Sequence, residues 1–280
     1  MRAFPRLRWT PRGKQRRRRA VRLPGAVLVL LSCLSGLTAV AALVLCARAV
    51  EGPVVKARPA QPASLRHATP RQAARPIIVP RSAWLDATAR HTQPPPRYDD
   101  KVVAVFIHHT DSPNDYDCAD APRIIRHLYA GQTGARAWDD IGYNFLVDHC
   151  GTIYEGRAGG VDHPVTGAHT QGFNHRTTGI AAIGTFTAGV PVPRAMTDAI
   201  AALAAWKLGL AGVDPRSAVS LTSSNSLSRY PTGTTASLPA LSGHNDAFRT
   251  TCPGAALTAE LPRLRERAAQ LQGRTPSGTR

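Results

Sequence analysis

Two histidines and a cysteine are the residues of this sequence best suited to holding a metal ion. His244 precedes Cys252 by eight residues, in a loop that a Pro-Gly pair closes. Neutral imidazole and thiolate are ligands that Zn²⁺ binds well, and a catalytic zinc needs three protein ligands and an open position. Either His108 or His109, at the end of an apolar run, supplies the third ligand. The alternative is a surface histidine and a buried thiol that bind nothing.

The segments around these residues predict a sheet whose edge carries them. Residues 101–107 form a continuous apolar run rich in β-branched residues, which is typical of a buried strand, and His108 follows at its carboxyl end. In α/β sheets, ligands bind at that end of the strands. We also predict strands at 143–148, 152–155 and 179–186, helices from 120, over 193–210 and over 257–271, and loop or short strands at 211–239. This alternation indicates an α/β class with one central sheet.

Three cysteines lie beyond the first 49 residues: Cys118, Cys150 and Cys252. Outside the cytoplasm a disulfide forms and persists, so three thiols allow one bridge and one free cysteine. The residues themselves leave open which two are paired.

The charge of the chain is concentrated at its N-terminus. The 280 residues include 35 basic and 18 acidic side chains, a net charge of +17. Eleven of the basic residues and none of the acidic ones precede position 50, so residues 50–280 carry 24 basic and 18 acidic side chains, or +6. We therefore expect no nucleic-acid partner. The 43% of hydrophobic residues is enough for a packed core.

An uncharged apolar segment, Ala26–Cys46, follows the N-terminal arginine run. About 20 apolar residues suffice to cross a bilayer as a helix, and the basic residues before it would stay in the cytoplasm. The competing interpretation is a secretory signal cleaved near Ala49. Both interpretations place the rest of the chain outside the cytoplasm. We divide the chain into a basic arm and hydrophobic helix (1–49), a Pro/Ala/Arg linker (50–75), a folded domain (76–270) and a flexible tail (271–280).

Five separated motifs of the folded domain resemble those of peptidoglycan recognition proteins, a branch of the type-2 N-acetylmuramoyl-L-alanine amidases. The resemblance covers nearly all of residues 76–270, with the motifs in the same order. They are IHHT (107–110), WDDIGYNFLV (138–147), GTIYEGR (151–157), GAHT (167–170) and the Gly-His to Cys-Pro-Gly ending (243–254).

The resemblance implies a single domain with a mixed central sheet flanked by helices and a zinc site at the floor of a surface groove. It implies that the zinc ligands are His108, His244 and Cys252. It also implies that the hydroxyl groups of Tyr143 and Thr250 act in catalysis. The remaining two cysteines of the domain, Cys118 and Cys150, resemble the disulfide pair of the family.

Three further residues are candidates for substrate binding. His169 either lines the groove or is a plain loop histidine, and Trp138 either lines the groove or belongs to the core. Asn245 stands where relatives commonly carry arginine, so substrate contacts there are expected to differ.

The function that the resemblance implies is zinc-dependent hydrolysis of the amide bond between N-acetylmuramic acid and L-alanine in peptidoglycan. Family members without the cysteine ligand bind peptidoglycan and do not cut it, so Cys252 together with Tyr143 favours an enzyme. The alternative is a non-catalytic peptidoglycan-binding module. We expect a monomer whose partners are peptidoglycan and, through the N-terminal helix, the membrane.

Overall fold

Strands alternate with helices along residues 71–90 and 92–276, the part of the chain that this computed structural model describes. The strands are β1 (Ile78–Val79), β2 (Ala104–His109), β3 (Phe145–Val147), β4 (Ile153–Glu155), β5 (Thr177–Ala182), β6 (Ala218–Thr222), β7 (Thr235–Pro239) and β8 (Leu241–Gly243). The α-helices are α1 (Ala121–Ala130), α2 (Arg194–Gly209), α3 (His244–Ala247) and α4 (Ala255–Leu271). Short 3₁₀ turns at Arg81–Ala83, Ala87–Ala89 and Cys118–Asp120 and a π-helical turn at Gly131–Ala135 complete the list.

The six-stranded sheet has the order β1-β4-β3-β5-β2-β8. Only β3 and β4 pair antiparallel, as the predicted hairpin, and the other neighbours are parallel. The sheet is therefore mixed, as the resemblance implied. Strand β2 has a parallel neighbour on each side and is buried on both faces, which explains its unbroken apolar sequence.

Helices cover both faces of this sheet. On one face, α2 and α4 pack against Val105 and Ile107 of β2 in the larger apolar core. On the other face, α1 packs against Leu146 and Ala181. Because successive side chains of a strand point to opposite faces, His108 lies on the face opposite Ile107, together with Phe106.

Residues 211–239 contain a separate two-stranded hairpin. Strands β6 and β7 pair antiparallel and belong to no larger sheet among the described residues. Leu221, Ala236 and Leu238 of this hairpin pack on Phe106 and Phe173. The hairpin therefore packs against the first half of β2, on the sheet face that carries Phe106.

The predicted N-terminal helix, Ala26–Cys46, lies outside the described residues, as do the basic arm and most of the linker. Within the residues described, no helix combines the length and apolar character needed to cross a bilayer.

Candidate metal centre and substrate groove

Strand pairing brings the two histidine ligands together. Strand β8 pairs parallel with β2 so that Gly243 lies beside Ile107. The next residues along the chain are His244, the first residue of α3, and His108, which is still within β2. The two imidazole rings are 4.4 Å apart between centroids. The register of this pair of strands therefore sets the distance between the two rings.

Cys252 reaches the same point from the turn that follows α3. Its Sγ lies 3.8 Å from Nδ1 of His108 and accepts a hydrogen bond from the backbone amide of His109 at 3.4 Å. Ligand atoms of His108, His244 and Cys252 all lie within 4.8 Å of one another. In a tetrahedral zinc site, nitrogen and sulfur ligands are roughly 3.5 Å apart, so this triad fits a Zn²⁺ ion in geometry and in donor type.

The two histidines of the triad are neutral at pH 7, which suits binding of a cation, whereas the cysteine is a thiol in the absence of one. Burial lowers the pKa of His108 well below its usual value and that of His244 to about 4, so both rings are neutral ligands at pH 7. Burial raises the pKa of the Cys252 thiol to about 12. The thiolate is therefore disfavoured there unless a positive charge compensates it.

His169 packs against His108 and is not among the residues that line the neighbouring surface cavity. It is 6% exposed, and its Nδ1 is 3.2 Å from Nε2 of His108. The Thr170 hydroxyl lies 3.3 Å from the same Nε2. In the tautomer with the proton on Nε2, His108 donates to these neighbours and leaves Nδ1 free to bind a metal; partners of this kind orient ligating histidines.

The pocket of His169 is closed by two glycines and a threonine. Its Nε2 faces the Thr177 hydroxyl at 3.4 Å, and that hydroxyl donates to the Phe173 carbonyl. A methyl group at Gly167 or Gly179 would collide with the His169 ring. The motif GAHT marked His169 in the sequence, but its contact with His108 depends on the distant strand β5.

Tyr143 packs beside His108, and Thr250 lies in the turn that carries Cys252. The Tyr143 ring is 5.2 Å from the His108 ring, and burial raises the pKa of its hydroxyl above the usual range, so the group is a hydrogen-bond donor at neutral pH. The Thr250 Oγ1 accepts from the backbone amide of Cys252 at 3.1 Å. This bond shapes the turn that carries the cysteine and leaves the hydroxyl proton free to donate.

Asn245 connects the two C-terminal ligand segments through its backbone. Its amide donates to the Cys252 carbonyl at 3.0 Å. Its side chain folds back towards Gly243, and Oδ1 is buried without a hydrogen-bond partner among the described residues. Asn245 therefore contributes to the shape of the ligand turn, and it does not line the adjacent cavity.

A cavity of about 400 Å³ lies at the surface among residues 137–139 and 166–168. Trp138 lines it, half-buried, with the Arg136 guanidinium stacked on its ring at 5.4 Å. Arg97 and Arg157 line the same cavity; the GTIYEGR motif contains Arg157, whereas none of the five motifs contains Arg97. Ala168, another lining residue, donates its backbone amide to the carbonyl of Gly142, the residue before Tyr143. The triad residues and Tyr143 are not among the residues that line the cavity.

The predicted disulfide is present. Cys118 and Cys150 are bonded, with their Cα atoms 6.2 Å apart, and join the segment before α1 to the β3–β4 turn. Cys252 is the free cysteine of the described chain and is buried. This pairing leaves the third cysteine available as a ligand.

The family model described as N-acetylmuramoyl-L-alanine amidase matches residues 98–255, from the segment before β2 through the cysteine turn. This chain belongs to the N-acetylmuramoyl-L-alanine amidase family. The match contains all three residues of the triad and also Tyr143 and Thr250.

Individual relatives share this part of the chain. The peptidoglycan-recognition protein LB of Drosophila melanogaster is 30% identical over 188 residues, 66% of this chain and 67% of the relative. The human N-acetylmuramoyl-L-alanine amidase is 32% identical over 187 residues, 65% of this chain but 27% of that protein. The Drosophila melanogaster protein LE is 36% identical over 119 residues, 42% of this chain and 33% of its own length. The matched segment of this amidase-family chain thus spans about a third or less of the length of the human amidase and of protein LE.

Solved structures agree with the amidase-family fold. The Drosophila protein LB superposes with a TM-score of 0.50 at 26% identity, covering 66% of this chain and 92% of that one. The protein LE, solved in complex with tracheal cytotoxin, a monomeric diaminopimelic acid-type peptidoglycan, gives a TM-score of 0.51 at 29% identity over 66% of this chain and 92% of the other.

Proposed function

We propose that this chain is a zinc-dependent amidase that hydrolyses the bond between N-acetylmuramic acid and L-alanine in peptidoglycan. The observation that carries the proposal is the triad of His108, His244 and Cys252, whose ligand atoms face one another beside Tyr143. Non-catalytic recognition of a muropeptide needs a groove but no three-ligand metal site. The presence of all three ligand types therefore favours hydrolysis.

The three side chains would hold the ion, which when bound acts as a Lewis acid that polarises carbonyl groups and acidifies water. The chain adds hydrogen-bond donors. The Tyr143 ring packs beside His108 and the Thr250 hydroxyl lies in the turn of Cys252. We assign both hydroxyl groups as donors to the oxygen of the scissile carbonyl as it gains negative charge. Each such donor is typically worth about 3–4 kcal/mol in the transition state.

We assign the peptide part of a muropeptide to the cavity that Trp138 lines, because its wall residue Ala168 is hydrogen-bonded to Gly142, next to Tyr143 in the chain. Trp138 offers an apolar face, and the guanidinium groups of Arg97 and Arg157 provide positive charge for the carboxylates of a stem peptide. The relative LE was solved with a peptidoglycan monomer, which supports assigning the same class of ligand to this groove.

The test is a product assay with the full-length chain, purified in detergent and loaded with one equivalent of Zn²⁺. We expect new alanine amino groups to appear when it is incubated with peptidoglycan. Tyr143→Phe should keep its zinc and its affinity for peptidoglycan while kcat falls roughly 100-fold, because one donor is lost. Zinc-loaded wild-type chain that binds peptidoglycan and releases no amino groups would make it a binding module.

We also propose that the domain works outside the cytoplasm, either anchored by Ala26–Cys46 or released after cleavage near Ala49. The Cys118–Cys150 disulfide supports an oxidising compartment. Cell fractionation and N-terminal sequencing test this: a mature N-terminus near Val50 indicates cleavage, and an intact membrane-bound chain indicates an anchor. A reduced chain recovered from the cytosol would contradict both.

A further inference from the structure

Lys207 is a charged side chain inside the apolar core. It lies on α2, is 2% exposed, and belongs to the largest fully buried side chains. Its Nζ lies 5.0 Å from the Trp206 ring centroid and 5.8 Å from that of Phe145. Burying an ammonium group costs free energy that methionine, of similar shape, would avoid. The charge therefore needs an explanation other than packing.

The hydrogen-bond acceptors of Lys207 are two carbonyl groups of one loop. Nζ donates to the carbonyl oxygen of Val161 at 2.8 Å and to that of His163 at 3.1 Å. Between them, Asp162 points outward to an ion pair with Arg75, in which both side chains are at least half exposed. Such an exposed pair contributes little to stability. Lys207 therefore provides the buried hydrogen bonds at the apex of this loop, while Asn144 donates to the Val165 carbonyl nearer its end.

The same loop forms one wall of the substrate groove. Residues 157–168, which we call the groove loop, begin with Arg157 and end with Thr166, Gly167 and Ala168, and all four line the cavity that Trp138 also lines. His169, which contacts His108, follows directly. Positive backbone φ angles at Gly159 (131°) and Gly160 (89°) turn the chain before the segment that Lys207 holds.

We infer that Lys207 is a positioning residue for substrate binding, which holds the groove loop from inside the core so that Arg157 and Gly167 keep their places in the cavity wall. The inference rests on the proposed function, because the ligand it concerns is the stem peptide of a muropeptide. Lys207 touches neither that peptide nor the metal triad. Its loss should therefore weaken substrate binding and leave the chemistry intact.

The test compares Lys207→Met with Lys101→Met, which removes an exposed lysine of the same domain, in the full-length zinc-loaded chain. The readouts are the Kd for a purified disaccharide-tetrapeptide, the kcat and KM for its cleavage, and the zinc content. We expect Lys207→Met to raise Kd and KM about 5- to 20-fold, since the loop must be ordered on binding. Its kcat should stay within twofold and its zinc content at one equivalent. Lys101→Met should match the wild type.

Hydrogen exchange gives a second readout that does not depend on activity. Amides of residues 158–168 should exchange faster in Lys207→Met, while those of β2 and β5 stay protected. If Lys207→Met does not fold, Lys207→Gln, which keeps one donor group, should show an intermediate Kd. An unchanged Kd with unchanged loop exchange in a folded variant would overturn the role of Lys207. A wild-type chain that binds the muropeptide without cleaving it would refute only the proposed activity, because the Kd comparison would still stand.

Discussion

The Nδ1 atom of His108 lies 3.8 Å from the Sγ atom of Cys252, although 144 positions separate the two residues in the chain. His108 belongs to strand β2, and Cys252 belongs to the turn before the last helix, α4. The backbone amide of His109 donates to the same sulfur. The candidate metal centre is thus assembled from distant segments, and each segment can be tested separately.

Replacing Cys252 by serine should abolish tight zinc binding and amidase activity together. Serine removes the thiolate and leaves two imidazoles, too few protein ligands for a stable zinc site. Metal content after dialysis and release of alanine amino groups measure the two effects. Thr251→Ser, which alters the exposed neighbour of Cys252 in the same turn, is the control. A Cys252→Ser variant that retains both zinc and activity would remove the metal argument.

His169→Ala should weaken zinc binding about 10- to 100-fold, the usual effect of removing a group that orients a metal ligand. The variant leaves Nε2 of His108 with the Thr170 hydroxyl as its remaining neighbour. Competition with a chromogenic chelator measures the zinc affinity. His127→Ala, on the exposed side of α1, should have no effect. An unaltered zinc affinity in His169→Ala would mean that the contact with His108 is not functional.

Gly179→Ala should destabilise the domain by about 1–3 kcal/mol, because the added methyl group collides with the His169 ring inside a packed core. It should also lower the zinc affinity, since the ring must shift away from His108. Urea unfolding at constant zinc concentration measures the first effect. Gly131→Ala, where a methyl group meets nothing within 4 Å, is the matched control. Equal stability of the two variants would contradict the collision.

Removing the disulfide should cost stability and spare the metal site. The bond closes a loop of 32 residues, for which chain-entropy estimates give about 3–4 kcal/mol. The double variant Cys118→Ser, Cys150→Ser should unfold at correspondingly lower denaturant concentration. At denaturant concentrations below its unfolding midpoint, the folded double variant should still bind one equivalent of zinc. Loss of zinc from the folded double variant would show that the bridge also supports the triad.

Lys207 should make the stability of the domain depend on alkaline pH. Burial lowers its pKa from 10.5 to about 8, so between these values the unfolded chain binds more protons than the folded one. Unfolding free energy therefore rises with pH across this window, and the destabilising effect of the buried charge is fully present below pH 8. Relative to Lys207→Met, the wild type should gain roughly 3 kcal/mol between pH 8 and 10.5. If unfolding free energy changed with pH in the same way in the wild type and in Lys207→Met, the lowered pKa of Lys207 would be refuted.

The sequence predicts the parts of the fold that carry a regular pattern. The apolar run ending at His108 becomes β2, and the Ala-rich segment 193–210 becomes α2, because local hydrophobic periodicity decides both. The resemblance supplied the three ligands that the structure brings together, and the disulfide pair. Local spacing alone left the third ligand and the pairing of the cysteines open.

Other features depend on contacts between distant segments, which a single sequence does not show. His169 was a candidate either for the groove or for a plain loop, and it lies against His108, since Gly167 and Gly179 leave room for its ring there. Asp140 belongs to the WDDIGYNFLV motif, whose pattern does not show that it is 2% exposed and accepts hydrogen bonds from Arg81 and from the backbone amide of Ala158. The β6–β7 hairpin lies in a stretch of Ser, Thr, Gly and Pro with little apolar periodicity.

The order of the six strands has a consequence for how the molecule behaves in a concentrated solution. The two outermost strands are β1, with two residues, and β8, with three. Strands this short offer few unpaired backbone groups to another chain, so edge-to-edge association of sheets is discouraged. We therefore expect the domain to remain a dispersed monomer at high local concentration, which equilibrium sedimentation of the purified chain would reveal.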